Sequence, residues 1–135
     1  MIFDHIGIFV ADISDGDRQL SAMLPITTRS PIFEDPLIQV RVQFLTDRSG
    51  ICYELVAPFG EQNPVSTVLR SRKNVLNHVA YRVDDIAGSI AALEAEGAML
   101  LGPARPAVAF GGRPVAFLYT AMNFIIELIG EDASG

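Results

Sequence analysis

The sequence predicts an α+β fold in which each half of the chain forms a strand, a helix and then three further strands. Three observations lead to this prediction. Short segments alternate apolar and polar residues, an amphipathic helical pattern follows the strand of the second half, and the chain matches itself under an ungapped shift of 73 residues. A single domain of 135 residues accommodates both halves and is long enough to bury a core.

The strand segments share a period of two and a high content of Val, Ile, Phe and Leu. They are predicted at residues 3–10, 39–46, 50–57, 76–83, 113–119 and 123–130. Each is bounded by residues typical of turns, so we expect a sheet in each half.

The helix of the second half is predicted from the stretch "DDIAGSIAALEAEGA". Either residue of the pair 84–85 can serve as the N-cap, because an aspartate accepts hydrogen bonds from the first free backbone amides. Ile86, Ile90 and Leu93 fall on one face at helical spacing. Gly97 stands where a helix C-cap is expected.

The helix of the first half has a weaker signal in "DISDGDRQLSAML". Ile13, Leu20 and Leu24 form an apolar stripe, but Gly16 interrupts the pattern and lowers helix propensity. A short helix is expected here. The modules are then about 1–58 and 75–131, with a connector at 59–74 in which Asn63 and Pro64 suggest one or two helical turns.

The internal repeat aligns apolar and capping residues of the two halves. Under the 73-residue shift, Val10 meets Val83, Asp12 meets Asp85, Leu45 meets Leu118, and Leu55 meets Leu128. These matches fix the 73-residue register of the repeat without the use of either histidine. In it, the chain's two histidines coincide, and a glutamate lies 49 residues after each of them.

These repeat-equivalent residues are His5 with Glu54 and His78 with Glu127. A duplicated module can bring equivalent side chains from four strands to one point. Two imidazoles and two carboxylates are a donor set that suits a divalent transition metal. Single histidines or glutamates in strands are usually solvated or hydrogen-bonded, but four in apolar strands are costly to bury unless they are paired or metal-bound.

Four stretches, "DHIGIFVADI", "YELVAPFGEQNPVSTVL", "NHVAYRVDDI" and "FIIELIGE", resemble the vicinal oxygen chelate superfamily. This superfamily includes glyoxalase I, methylmalonyl-CoA epimerase, extradiol dioxygenases and antibiotic-resistance proteins. The resemblance covers nearly the whole chain. It implies one domain, 1–135, of paired βαβββ modules that form a metal-binding cup, with His5, Glu54, His78 and Glu127 as metal ligands.

Within the superfamily, the stretch from Tyr53 into the second module is most similar to methylmalonyl-CoA epimerase. The resemblance implies a metal-dependent epimerase or isomerase that abstracts a proton next to a thioester carbonyl. The divalent ion would be Co, Ni, Zn or Mn, and the substrate an acyl-CoA. Glu127 is expected as the catalytic base, and Glu54 as the second base across the metal.

Six further residues are candidates for substrate binding. Gln43 is expected to face the cup, the basic run of Arg70, Arg72 and Lys73 could meet CoA phosphates, and Arg105 or Arg113 could bind a carboxylate in a bidentate manner. The last two lie in the Pro- and Gly-rich segment 101–114, which is expected to be a long loop.

Two alternative functions stay open. The ligand set also resembles that of bacterial glyoxalase I, a lactoylglutathione lyase. A non-catalytic protein that binds a small molecule is favoured by "RQLSAMLPI" and "LYTAMNFIIEL", which lack turns common in the superfamily. A dioxygenase fits less well, since such iron sites use two histidines and one carboxylate.

The composition of the chain limits the kinds of binding partner and the cellular location that we expect. A net charge of −6 disfavours nucleic acid, which requires a basic surface. One cysteine, Cys52, excludes an internal disulfide. The absence of a long apolar run or a basic leader predicts a cytoplasmic protein without a membrane partner, and the 50% hydrophobic content suggests a homodimer.

Overall fold

A computed structural model describes residues 1–59, 69–70 and 76–131. The chain divides into two compact units. One comprises His5–Asn77, and the other comprises Met1–Asp4 together with His78–Gly135.

The first unit contains a mixed sheet with one helix. In chain order the elements that lie wholly or mostly in it are β1 (Ile2–Phe9), α1 (Ile13–Met23), β2 (Ile26–Arg29), β3 (Phe33–Asp35), β4 (Val40–Asp47) and β5 (Cys52–Pro58). The strand order is β2-β4-β5-β1, with β3 also paired to β4. Strand β1 runs parallel to β5, and the other pairs are antiparallel.

The second unit has the same topology. Its elements are β6 (Leu76–Arg82), α2 (Ile86–Ala95), β7 (Met99–Leu100), β8 (Arg105–Pro106), a 3₁₀ turn (Val108–Phe110), β9 (Pro114–Tyr119) and β10 (Ile125–Ile129). The strand order is β6-β10-β9-β7, with β8 also paired to β9. Its first and last strands are again parallel neighbours.

Each helix packs on one face of its own sheet, which leaves the other face for the candidate ligands. In the first unit, α1 contributes Ile13 and Leu20 to a buried cluster with Leu45, Leu55 and Ala57. In the second unit, the stripe Ile86, Ile90 and Leu93 of α2 packs against Val83, Leu118 and Leu128. Both clusters contain the repeat-equivalent leucines that fixed the 73-residue register.

Helix α1 includes Gly16 because the helix lies very close to β1 there. A Cβ atom at this position would come within 3.0 Å of Val10 Cγ1. The glycine that weakened the helical signal therefore permits close packing. The helix begins at its N-cap Asp12, whose carboxylate accepts a hydrogen bond from the Asp15 amide at 2.9 Å.

The long strands and both helices were predicted correctly. Of the two N-cap candidates, the structure uses Asp85, and the C-cap is Glu96, one residue before Gly97, whose φ is 93°. The short strands β2, β3, β7 and β8 were not placed, because two to four residues carry little periodicity. The expected turn at Asn63–Pro64 lies outside the described residues. The predicted single domain and its module boundaries stay predictions.

Candidate metal centre

The first candidate pair, His5 and Glu54, lies on neighbouring parallel strands. Glu54 stands opposite Gly7 in the register of β1 and β5, and His5 is two residues earlier on the same face. The Nε2 atom of His5 lies 3.3 Å from Oε1 of Glu54. Alternation turns Tyr53 and Leu55 to the opposite face, where they pack with the α1 cluster, as the sequence predicted.

The second pair, His78 and Glu127, has the same construction on β6 and β10. Glu127 stands opposite Ala80, two residues after His78. The Nε2 atom of His78 lies 3.1 Å from Oε1 of Glu127. Each unit therefore places one imidazole nitrogen against one carboxylate oxygen on the face that its helix does not cover.

All four side chains are buried: the side chains of His5 and Glu54 are 0% and 7% exposed, and those of His78 and Glu127 are 3% and 4% exposed. Burial of a carboxylate is costly unless hydrogen bonds, an opposite charge or a metal compensate for the lost hydration. Nitrogen and oxygen donors of this kind are typical ligands of divalent transition metals. Each pair therefore offers one nitrogen and one oxygen donor, and the chemistry of these donors fits such an ion.

An aromatic ring accompanies each pair. Phe44 is directly opposite Glu54 in the β4–β5 register, and its ring centroid lies 5.5 Å from that of His5 at an interplanar angle of 70°. Phe117 is directly opposite Glu127, and its ring lies 5.7 Å from that of His78 at 83°. The 73-residue shift pairs Phe44 with Phe117, but the sequence alone assigned neither of them a role at the site.

The segment 101–114 is more ordered than the predicted long loop. It contains β8 and the 3₁₀ turn, and it supplies Ala107 and Phe110 to a cluster with Ala80, Val115 and Ile129. Because Ala80 is opposite Glu127 in the strand register, this cluster lies on the face that carries the second pair. The turn therefore covers part of that face.

Gln43 lies on the wrong face of β4 for the predicted role. It is opposite Leu55, which packs with the α1 cluster, whereas the next residue, Phe44, is opposite Glu54. The side-chain amide of Gln43 donates a hydrogen bond to the Ser30 carbonyl at 2.9 Å. The prediction that Gln43 faces the cup is corrected by this register.

Three of the predicted basic residues lie in the part of the chain that the structure describes. Arg70 is exposed in a helical stretch, and Arg105 is exposed on β8, whereas Arg72 and Lys73 lie outside the described residues. Arg113 is half-buried, and its Nε donates a hydrogen bond to the Gly130 carbonyl at 2.7 Å. Their predicted contacts with substrate stay predictions.

A cavity of about 230 Å³ in the second unit is lined by Arg82, Arg113, Asp84 and Glu131 among others. Because the two arginines and the two carboxylates of this lining balance in charge, the cavity has no strong preference for an anion. Arg82 is also paired with Asp4 at 3.2 Å. The described lining includes none of the four candidate ligands, so this cavity is distinct from the metal centre.

Two titratable residues of the first unit belong to the β4–β5 hairpin. Asp47 is buried and accepts hydrogen bonds from the amides of Ser49 and Ile51 at 2.9 and 3.0 Å. Burial raises the pKa of Tyr53, and the nearby Asp47 carboxylate raises it further. Tyr53 packs on the α1 side of the sheet. Because its hydroxyl lies beside the Asp47 carboxylate, the two side chains link the strands of the hairpin and stabilise it. Cys52, the chain's single cysteine, is half-buried and shares the strand face of Glu54.

Within the described ranges, no helix is long and apolar enough to cross a membrane.

The chain matches known proteins over most of its length. The family model of the Glyoxalase/Bleomycin resistance protein/Dioxygenase superfamily matches residues 4–117. An ethylmalonyl-CoA/methylmalonyl-CoA epimerase of Cereibacter sphaeroides is 30% identical over 117 residues, which cover 86% of each chain.

Solved structures show the same fold. The methylmalonyl-CoA epimerase of Mycobacterium tuberculosis superposes with a TM-score of 0.79 at 24% identity, covering 98% of this chain and 89% of that one. A Streptomyces coelicolor methylmalonyl-CoA epimerase variant in complex with 2-nitronate-propionyl-CoA gives a TM-score of 0.75 at 22% identity, covering 98% and 99%. Together with the family match, these findings confirm the family resemblance and the α+β fold inferred from the sequence. The chain belongs to the glyoxalase/bleomycin resistance protein/dioxygenase superfamily, also called the vicinal oxygen chelate superfamily.

Proposed function

We propose that this protein is a metal-dependent epimerase or isomerase that moves a proton on the carbon next to a thioester carbonyl, as in methylmalonyl-CoA. The observation that carries the proposal is the duplicated pair of buried histidine and glutamate side chains. The similarity to an ethylmalonyl-CoA/methylmalonyl-CoA epimerase over 86% of each chain supports the substrate class.

The proposed ligands of one divalent ion are His5, Glu54, His78 and Glu127. Each imidazole presents Nε2 toward a carboxylate oxygen within its own unit, which is the arrangement needed for both to ligate one cation. When bound, such an ion stabilises the negative charge that develops on a substrate oxygen as the proton leaves the adjacent carbon. Co, Ni, Zn and Mn all suit this donor set.

Glu127 is the proposed base. A carboxylate that the ion holds only loosely can accept the proton and exchange it with solvent. Glu54 is the proposed second base, because it is the repeat equivalent of Glu127 and has the same pairing with a histidine. Two bases on opposite faces of the substrate carbon would invert its configuration.

The proposed substrate carries a CoA group, as does the ligand in the Streptomyces coelicolor complex. Arg70, Arg72 and Lys73 are proposed to meet its phosphates, since a cluster of cations favours phosphate binding. Arg105 and Arg113 are proposed to contact a substrate carboxylate. Arg113 uses Nε for the Gly130 carbonyl, which leaves the rest of its guanidinium group for this role.

A glyoxalase I-like lyase is the second candidate, because both carboxyl-bearing ligands are glutamates, as in the bacterial glyoxalase I set that the sequence resembles. Such an enzyme would move a proton between neighbouring carbons of a hemithioacetal. A binding protein that sequesters a small molecule is the third.

Proton exchange with solvent distinguishes these functions. The purified protein, loaded in turn with Co, Ni, Zn and Mn, is incubated in D₂O with methylmalonyl-CoA, ethylmalonyl-CoA or the hemithioacetal of methylglyoxal and glutathione. Deuterium incorporation into an acyl-CoA is expected. Exchange only into the hemithioacetal would support the lyase, and no exchange with any metal would contradict both enzymes.

The Glu127→Gln variant is the matched test of the base. It keeps an oxygen donor but replaces the carboxylate by an amide that cannot accept a proton at neutral pH. Metal binding is expected to persist largely, while exchange into the epimer whose proton Glu127 removes falls by about 10²–10⁴-fold. Undiminished exchange would show that another group removes the proton.

We further propose a homodimer. Several large apolar side chains of the second unit are exposed, among them Met99, Tyr119, Met122 and Phe124. Burying such residues against a second copy would remove apolar surface from water. Sedimentation showing only monomer at micromolar concentration would contradict this. The cytoplasmic location stays a prediction of the sequence.

A further inference from the structure

The two phenylalanines beside the candidate ligands have the same place in both units. Phe44 and Phe117 are 73 residues apart, each is directly opposite the glutamate of its pair, and each ring meets the histidine ring edge to face. The centroid distances, 5.5 and 5.7 Å, agree within 0.2 Å. The repeat therefore preserves three residues per half, although only two carry a ligand atom.

The geometry points to Phe44 and Phe117 as positioning residues that fix the imidazole planes of His5 and His78. This inference rests on the proposed metal centre. An imidazole on a strand can rotate about two side-chain bonds, and a ring packed edge to face against it restricts that rotation. Edge-to-face contact at such centroid distances is a favoured arrangement of aromatic rings.

The restriction on imidazole rotation matters because the nitrogen and the carboxylate oxygen of each pair must be correctly oriented as well as close together. Nε2 of His5 and Oε1 of Glu54 are 3.3 Å apart, and a rotated imidazole would move its nitrogen away from the carboxylate. The phenylalanine occupies the cross-strand position next to the glutamate, so it borders both ligands at once. Residues that orient ligands without binding the metal change metal affinity by about 10–100-fold when they are lost.

Each phenylalanine is itself held in place by apolar neighbours. In the first unit the ring of Phe33 packs against that of Phe44, with centroids 6.3 Å apart at 62°. In the second unit Phe117 packs against the cluster of Ala80, Val115 and Ile129. The rings are therefore supported by different side chains in the two halves, while their contact with histidine is the same.

The test uses the visible absorption bands of bound Co²⁺, which report the geometry of the ligands, and the dissociation constant of that ion. Phe44→Leu and Phe117→Leu each remove a ring but keep an apolar side chain. The control is Phe9→Leu. Phe9 is buried on the strand face of His5, and the described residues show no ring contact between Phe9 and His5. Unfolding by urea is measured for all variants.

We expect each of the two test variants to bind Co²⁺ about tenfold or more weakly and with altered bands. Phe9→Leu is expected to lose stability while keeping the wild-type bands and affinity. Unchanged bands and affinity in both test variants, or equal changes in the control, would overturn the positioning role while leaving the metal centre intact. Wild-type protein that binds no Co²⁺, Ni²⁺, Zn²⁺ or Mn²⁺ would instead overturn the metal centre and this inference with it.

Discussion

The two units carry the same histidine and glutamate pair on sheets whose other contacts differ. In the first unit the ring beside His5 is supported by Phe33, and α1 is tied to β2 by a bidentate ion pair between Asp17 and Arg29 at 2.6 and 2.8 Å. In the second unit the 73-residue shift puts Ile90 and Gly102 at those two positions.

The second unit instead covers part of the face that carries His78 and Glu127 with the 3₁₀ turn, through Ala107 and Phe110. The histidine and glutamate pair therefore depends on features that both halves share: strand alternation, a parallel pairing of the first and last strands, and a helix on the opposite face. The ion pair, the turn and the arginine at 113 are particular to one half. Substitutions at repeat-equivalent positions of the two halves should have similar effects. Substitutions at positions whose role exists in one half only should not.

Loss of a histidine should have the largest effect and should be similar in both units. His5→Ala and His78→Ala each remove one nitrogen donor of the proposed centre. Each is expected to weaken Co²⁺ binding by more than about 100-fold, which exceeds the usual cost of losing an orienting residue. Isothermal titration measures this loss. Wild-type affinity in either variant would show that the two units do not contribute equally to one ion.

Substitution of one glutamate should abolish inversion of the substrate's configuration without abolishing exchange of its proton with solvent. In Glu54→Gln, proton removal by Glu127 is expected to continue for one epimer of the substrate, whereas return of the proton to the opposite face is lost. Inversion should fall by about 10²–10⁴-fold while deuterium exchange into that epimer persists. Chiral analysis of the labelled acyl-CoA distinguishes the two. Normal inversion in this variant would exclude Glu54 as the second base.

The repeat-equivalent core leucines should respond alike. Leu45 and Leu118 are both fully buried, and each packs in the cluster beneath its own helix. Leu45→Ala and Leu118→Ala are each expected to lower the free energy of unfolding by about 2–5 kcal/mol, from lost burial and the cavity left behind. Urea unfolding provides the measurement. A loss below about 1 kcal/mol in one variant would mean that its cluster repacks.

The smallest expected effect concerns the ion pair that only the first unit has. The hydrogen bond from Arg29 lowers the pKa of the Asp17 carboxyl group below its ordinary value. A lowered pKa in the folded state contributes stability above the ordinary aspartate pKa, about 3.9, and this contribution is lost as the pH falls through the folded-state pKa.

Asp17→Asn should therefore lower the melting temperature at pH 7 by no more than about 3 °C, since the pair is partly exposed. The difference from wild type should shrink below about pH 4 and in high salt. Calorimetry at several pH values tests this. A difference that stays constant down to pH 2 would assign the effect to packing instead.

Much of the site could be predicted because it follows from local periodicity and from the repeat. The alternation around Glu54 already separates it from Tyr53 and Leu55, and the shift pairs both histidines without any tertiary information. Gln43 could not be assigned in the same way, because its face depends on the register between β4 and β5. The 3₁₀ turn was also missed, since three residues have no detectable period and its packing on Ala80 is a tertiary contact.

We propose that both units supply ligands to one metal ion. Titration of the metal-free wild-type protein with Co²⁺, followed by the visible absorption of the bound ion, tests it most directly. The account predicts saturation at one ion per chain, and loss of that one signal in either His5→Ala or His78→Ala. Saturation at two ions per chain, with one retained in each variant, would show two separate sites, and no binding of Co²⁺, Ni²⁺, Zn²⁺ or Mn²⁺ would contradict the metal centre altogether.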